Sequence, residues 1–387
     1  MGPDVSKTVI IDECKRIALR HLWKSFGRET VLSLVLHGSV ARNEESYASR
    51  KGKPALENDI DLVAVIKNID IVRYMRSFGT LENRIRDDLR RKFELSNISL
   101  LVITEKRLLH ARPSVLCQEL KFNGKVIFGK DVINLLPNYR NDQIPVRDLM
   151  RYIFTSVVRL LESFVRSEVK RERLRDDESD PVLKHMEKMI RILIRAIVMK
   201  EGISINPFNL SEVRSRSKDH VENSDILEYL LKSYEDLTKI KNSSCQYSRI
   251  KMKKYWVNII DLFNSTMIAL TGNKDVCIAP SEKQFFGDTV KLGRRVQLAS
   301  YVSPRFLGKS MIINLGKAVM RIILFGPDHA SLAIYPLFLS VPSVLTDMDA
   351  EDRGDHRHGY SSKLWLKSLE KDLNIWNLTS CVVADYF

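Results

Sequence analysis

Two short stretches carry residues whose types and order could do chemistry. One reads LHGSVAR, from Leu36 to Arg42, and the other NDIDLVAVI, from Asn58 to Ile66. In the first, the apolar run Thr30–Leu36 gives way to Gly38 and Ser39. A strand followed by Gly-Ser and a turn into a helix presents backbone N–H groups to a phosphate. Gly38 has no Cβ to block the approach, and the Ser39 hydroxyl can donate a hydrogen bond. In the second, Asp59 and Asp61 stand two apart at the head of an apolar strand. Strand side chains alternate, so both carboxylates face one way while Leu62 and Ala64 face the other. Two adjacent carboxylates repel unless a cation lies between them. Oxygen-only donors at that spacing suit Mg²⁺ or Mn²⁺ rather than zinc. A phosphate cradle beside a divalent-metal pair is what transfer of a nucleotidyl group requires.

Taken in order, Gly38, Ser39, Ala41 and Arg42 followed by Asp59 and Asp61 resemble the polymerase-β-type nucleotidyltransferase superfamily. The chain's size and helical second part are similar to the minimal and antibiotic nucleotidyltransferases within it. The motifs cover residues 30–130; beyond them the likeness is architectural only. The resemblance implies that Ser39 and the nearby backbone bind the β- and γ-phosphates of a nucleoside triphosphate. It implies that Asp59 and Asp61 ligate the metals, and that Arg42 orients the loop or touches phosphate. The chain departs from the pattern in three places. The gap before the Asp pair is long, consistent with an insertion around Tyr47–Ala55. Asn43 stands where Gly is common. Many members carry a third carboxylate on a later strand, where this chain has Ser99, with Asn97 on the same face by parity.

Two readings follow from Ser99. Either the base comes from elsewhere, with Glu187 and Glu162 as candidates, or the domain binds nucleotide and turns it over poorly. A general base contributes ~10²–10⁴-fold, so its loss slows a reaction without abolishing it. The expected function is metal-dependent transfer of a nucleotidyl group, AMP from ATP, to a hydroxyl of an acceptor that is a small molecule, a protein or RNA. The alternative is a catalytically weakened nucleotide-binding or regulatory module of the same fold that binds RNA or a partner protein. A nucleic-acid polymerase or tailing enzyme is a third reading, which no separate nucleic-acid-binding motif supports.

Other chemistry-bearing residues read more blandly. His356 and His358, with Asp352 and Asp355, read as a solvated polar loop rather than a metal site. Arg214 and His220 match a loose Arg-x₅-His spacing of helical RNase toxins, but their polar surroundings read as a surface loop. Lys184, Lys188, Arg191 and Arg195 read as a solvated helix face rather than a phosphate contact. His37 reads equally as a strand end or a site residue. Tyr255, Trp256 and Phe263 read as core.

The elements that must position the two motifs follow from periodicity. Apolar steps of three and four predict a helix over Ser6–Phe26, ended by Gly27. Strands are predicted at Thr30–Leu36, Ile60–Ile66, Ile98–Thr104 and Lys125–Phe128. The polar stretch Asn43–Asn58 reads as a mobile loop. Helices are expected at Val72–Arg91 and Lys106–Leu120. Further helices, at Val146–Arg173, Pro181–Gly202, Ser224–Lys241 and Ile250–Leu270, suit a bundle. Beyond Gly272 short apolar segments alternate with Gly and Pro. The fold expected is therefore α+β: a nucleotidyltransferase-like mixed sheet with helices over 1–140, a helical-bundle domain over 141–272, and a smaller mixed or strand-rich segment over 273–387.

The 387 residues are long enough for two or three domains, and 44% hydrophobic with 28% charged residues excludes a mainly disordered chain. Sixty-two Lys and Arg against 48 Asp and Glu give +14, a bias toward anionic partners. Five widely spaced cysteines without a CxxC argue against a disulfide framework and a Cys-based zinc site. Neither a signal peptide nor a membrane span is apparent, and a reducing cytoplasm is the expected compartment.

Overall fold

A computed structural model describes residues 7–44, 47–50, 53–56, 59–68, 71–95, 98–169, 181–216, 223–242 and 249–272, with Phe338, Val341 and Leu345. The chain divides into two compact units between Ile144 and Pro145. The architecture is α+β: a mixed four-stranded sheet with helices, followed by a helical region.

In the first unit, α1 (Lys7–Phe26) precedes β1 (Val31–His37), and a single helical turn, α2 (Gly38–Ala41), follows. Then come β2 (Tyr47–Arg50), β3 (Lys53–Leu56), β4 (Ile60–Ile66), α3 (Ile71–Lys92), β5 (Glu94–Leu95) and β6 (Ile98–Thr104). The short helices α4 (Glu105–Leu109) and α5 (Val115–Asn123) lead to β7 (Lys125–Gly129). The main sheet runs β6-β4-β1-β7; β4 and β6 are parallel and the other neighbours antiparallel. A parallel pair needs a crossover, and α3 supplies it.

Alternation along the strands divides the core in two. Leu34, Leu36, Leu62, Ala64, Leu100 and Val102 join α1 and α3 on one face. Val35, Val63, Val65 and Ile103 join Leu108, Cys117 and Leu120 on the other. The α1 and α3 helices are also tied by ion pairs. Arg20 and His21 meet Asp88 at 2.5 and 2.8 Å, and Lys92 meets Glu13.

Three sequence expectations are corrected here. Within Asn43–Asn58 the chain forms a hairpin, β2 against β3, closed after Arg50↔Lys53 and continued by β5 in parallel with Ala55 and Leu56. Strands of four residues are too short for a period of two to stand out. Pro54 is accommodated because β5 joins β3 only after it. Second, the helix expected over Lys106–Leu120 is broken at residues 110–114. Pro113 disfavours helical geometry at Arg112, and Ser114 Oγ restarts the chain by accepting from Cys117 N at 3.1 Å. Third, the irregular loop around Arg214 contains α8 (Leu210–Arg216), capped by Asn209, whose Oδ1 accepts from Ser211 N and Glu212 N.

The second unit holds α6 (Val146–Val169), α7 (Pro181–Lys200), α8, α9 (Ser224–Asn242) and α10 (Arg249–Thr271). The central helix is α7, which packs against α6, α9 and α10 and is buried from Leu193 to Met199, where every side chain but that of Arg195 is apolar. Trp256 and Phe263 lie in the core as expected, while Tyr255 is half-buried. Phe338, Val341 and Leu345 are helical and buried, where the sequence suggested a mixed or strand-rich segment. Phe338 rests against Trp256 and Phe263 at 6.0 and 5.5 Å between ring centres, and its carbonyl accepts from Trp256 Nε1 at 3.2 Å.

Candidate functional site

The Gly-Ser turn is built on a conformation that only glycine takes easily. Gly38 has φ +74°, and a Cβ there would stand 2.2 Å from Asp61 Oδ2. The backbone of the turn and the Asp61 carboxylate therefore touch because position 38 has no side chain. Val40 and Ala41 are buried in the core and anchor the turn from beneath. Asn43 adopts φ +60°. Asparagine is among the few non-glycine residues that tolerate this left-handed region. Its Oδ1 accepts from Lys125 Nζ at 3.3 Å.

The strands then align three polar residues in one row. Asp61 pairs with His37 on β1 and with Ser99 on β6. Their parity is that of Val35, Val63 and Ile103, so the row continues the face covered by α4 and α5. Ser99 is exposed, and Asp59, one residue before β4, is half-buried. Asn97 lies outside the described residues. Among the described residues no three His, Cys, Asp or Glu side chains converge as a metal cluster. The donors at hand are the Asp61 carboxylate beside the glycine turn and the Asp59 carboxylate two residues earlier, hard oxygens of the kind Mg²⁺ or Mn²⁺ takes.

Sequence reasoning missed Glu119. From α5 it meets the Arg42 guanidinium, and its other oxygen lies 3.9 Å from His37 Nδ1. Arg42 also reaches Glu44 at 3.0 Å. Burial pulls the His37 imidazole down, but the Glu119 carboxylate, aided by Asp61 and opposed by Arg42, raises it above its ordinary value. Glu119 is 77 positions from Arg42, so no local signal in the sequence joins them.

The remaining candidates lie elsewhere. In the second unit, Glu162 accepts from Arg159 at 3.0 Å, and the buried Glu187 lies 3.6 Å from Arg191. Arg195, expected on a solvated face, is buried, bonded to Tyr152 at 3.2 Å and stacked over Phe208. Its long side chain packs among apolar neighbours, with its charge over an aromatic ring. Arg214 pairs with Glu235 at 2.6 Å. His220, Asp352, Asp355, His356 and His358 lie outside the described residues. No described helix is long and apolar enough to cross a membrane.

No protein-family model and no curated protein sequence matches the chain. Among solved structures, the chain is similar to spectinomycin adenyltransferase AAD(9) from Enterococcus faecialis, crystallised with ATP and spectinomycin. The match has 15% identity and a TM-score of 0.36, and covers 67% of this chain and 98% of that one.

Proposed function

We propose that this chain is a metal-dependent nucleotidyltransferase that moves AMP from ATP to a hydroxyl of an acceptor, whether small molecule, protein or RNA. The observation that carries the reading is the contact between the glycine turn and Asp61, made only because Gly38 lacks a Cβ. On this reading the backbone that would take phosphate stands against the carboxylate that would take metal. Asp59 and Asp61 would hold Mg²⁺ or Mn²⁺, which when bound neutralises the triphosphate and the leaving pyrophosphate. Gly38 and Ser39 bind the β- and γ-phosphates through backbone N–H groups and the hydroxyl. Arg42, already gripped by two carboxylates, orients the turn. The acceptor oxygen forms a bond to the α-phosphorus as the α–β bridging bond breaks, and the hydroxyl proton passes to solvent or a base.

Ser99 beside Asp61 favours a second reading, a weakened site that binds nucleotide and reacts slowly. Incubation with α-labelled ATP, Mg²⁺ and an acceptor panel separates them. Wild type should transfer label, and Asp59→Ala with Asp61→Ala should lose it by at least ~10²-fold. Equal transfer by both forms would overturn the first reading. A large gain from Ser99→Asp would establish the second. Chelation should abolish transfer in either case.

A further inference from the structure

One side chain lies against both ends of the glycine turn. His37 precedes the turn and Arg42 closes it. Glu119 gives one carboxylate oxygen to Arg42 and places the other 3.9 Å from His37. These side chains are only 14, 9 and 13% exposed, for Glu119, Arg42 and His37 in turn, so water screens the interaction weakly. The helix bearing Glu119 is itself anchored: its neighbour Gln118 is buried and donates to the Tyr139 carbonyl at 2.8 Å. The grip therefore comes from a fixed base.

We propose that Glu119 is a positioning residue that clamps the Gly38–Ala41 turn at both ends and so sets its place against Asp61. A turn in contact with Asp61 has little tolerance: a shift of an ångström alters the gap between the phosphate-binding groups and the acid pair. Misplacement on that scale can cost ~10²-fold. Glutamine keeps the shape of Glu119 but loses the charge that meets the Arg42 guanidinium and faces the His37 ring. Aspartate keeps the charge but, one methylene shorter, reaches one end of the turn rather than both. The ligand served, a magnesium-bound nucleoside triphosphate, rests on the reading given above; the clamp itself does not.

The test uses the full chain as wild type, Glu119→Gln and Glu119→Asp. Three quantities are read: amide hydrogen exchange across 37–44 without nucleotide, the Kd for Mg²⁺ with α,β-methylene-ATP by calorimetry, and the melting temperature. In Glu119→Gln, exchange should quicken across 38–43 while β4 stays protected. The Kd should rise about tenfold or more, with melting unchanged within a few degrees, and Glu119→Asp should fall between. Exchange and Kd equal to wild type in both variants overturn the clamp. A Kd that weakens only in step with melting reduces Glu119 to a structural ion pair and overturns it as well. Should Glu119→Gln fail to fold, Glu119→Asp decides by the same readouts. Should wild type bind no analogue, the nucleotide reading falls, and exchange alone decides the clamp.

Discussion

Glycine at position 38 is constrained twice. Its φ of +74° disfavours any L side chain, and the space a Cβ would fill holds Asp61 Oδ2. Gly38→Ala should therefore destabilise the first unit by ~1–3 kcal/mol and push the Asp61 carboxylate aside. Urea unfolding measures the first effect, and loss of label transfer from ATP measures the second. Sequence reading singles out Gly38, Ser39, Asp59, Asp61 and Ser99 because each sits in a short motif or at a parity-fixed strand position. It could not reach Glu119, whose meaning depends on which helix packs against the odd-numbered face of the sheet. Asn43 was legible as a departure from a pattern. Its backbone angle supplies the reason the departure is tolerated.

At the scale of elements, α1 and α3 are joined by acids that ionise more readily in the fold. Hydrogen bonds from Arg16 and then Lys92 lower Glu13 from 4.5 to about 2, and His21 chiefly lowers Asp88. A depressed carboxylate contributes stability above its unfolded pKa and loses it as pH falls through the folded value. The first unit should thus melt progressively lower from pH 5 toward pH 2. Thermal scans should show Glu13→Gln flattening that decline. In the second unit, Phe338→Ala should cost about 3–5 kcal/mol by emptying the space beside Trp256 and Phe263. The shift would appear in the urea midpoint followed by tryptophan emission. The main strands and long helices were readable because burial imposes periods of two and 3.6 on them. The four-residue strands at 47–50 and 53–56 and the seven-residue α8 are too short for a period to stand out. The Asn209-Leu-Ser-Glu212 start of α8 is nonetheless a capping signal visible in the sequence. The break before α5 was likewise legible at Pro113, where local chain geometry overrides apolar spacing.

Over the whole molecule, the first unit carries two apolar layers of its own on either side of its sheet, and the second closes around α7. A fragment of residues 1–144 should therefore melt cooperatively by circular dichroism; a gradual, sloping transition would show that its layers need the rest of the chain. Against the chain's excess of 62 cationic over 48 anionic side chains, the described residues at the turn set Glu44, Glu119 and Asp61 around Arg42 and His37. The row His37–Asp61–Ser99 has one further consequence. All three are rungs of one hydrogen-bonded ladder, so none can be relocated without sliding a strand, and a slip of one residue would bring Leu62 to the working face. The sheet behaves as a rack with fixed slots: its reactivity is retuned by exchanging what occupies a slot, and the outermost slot, held by a solvent-facing hydroxyl, accepts a new acid without moving the frame.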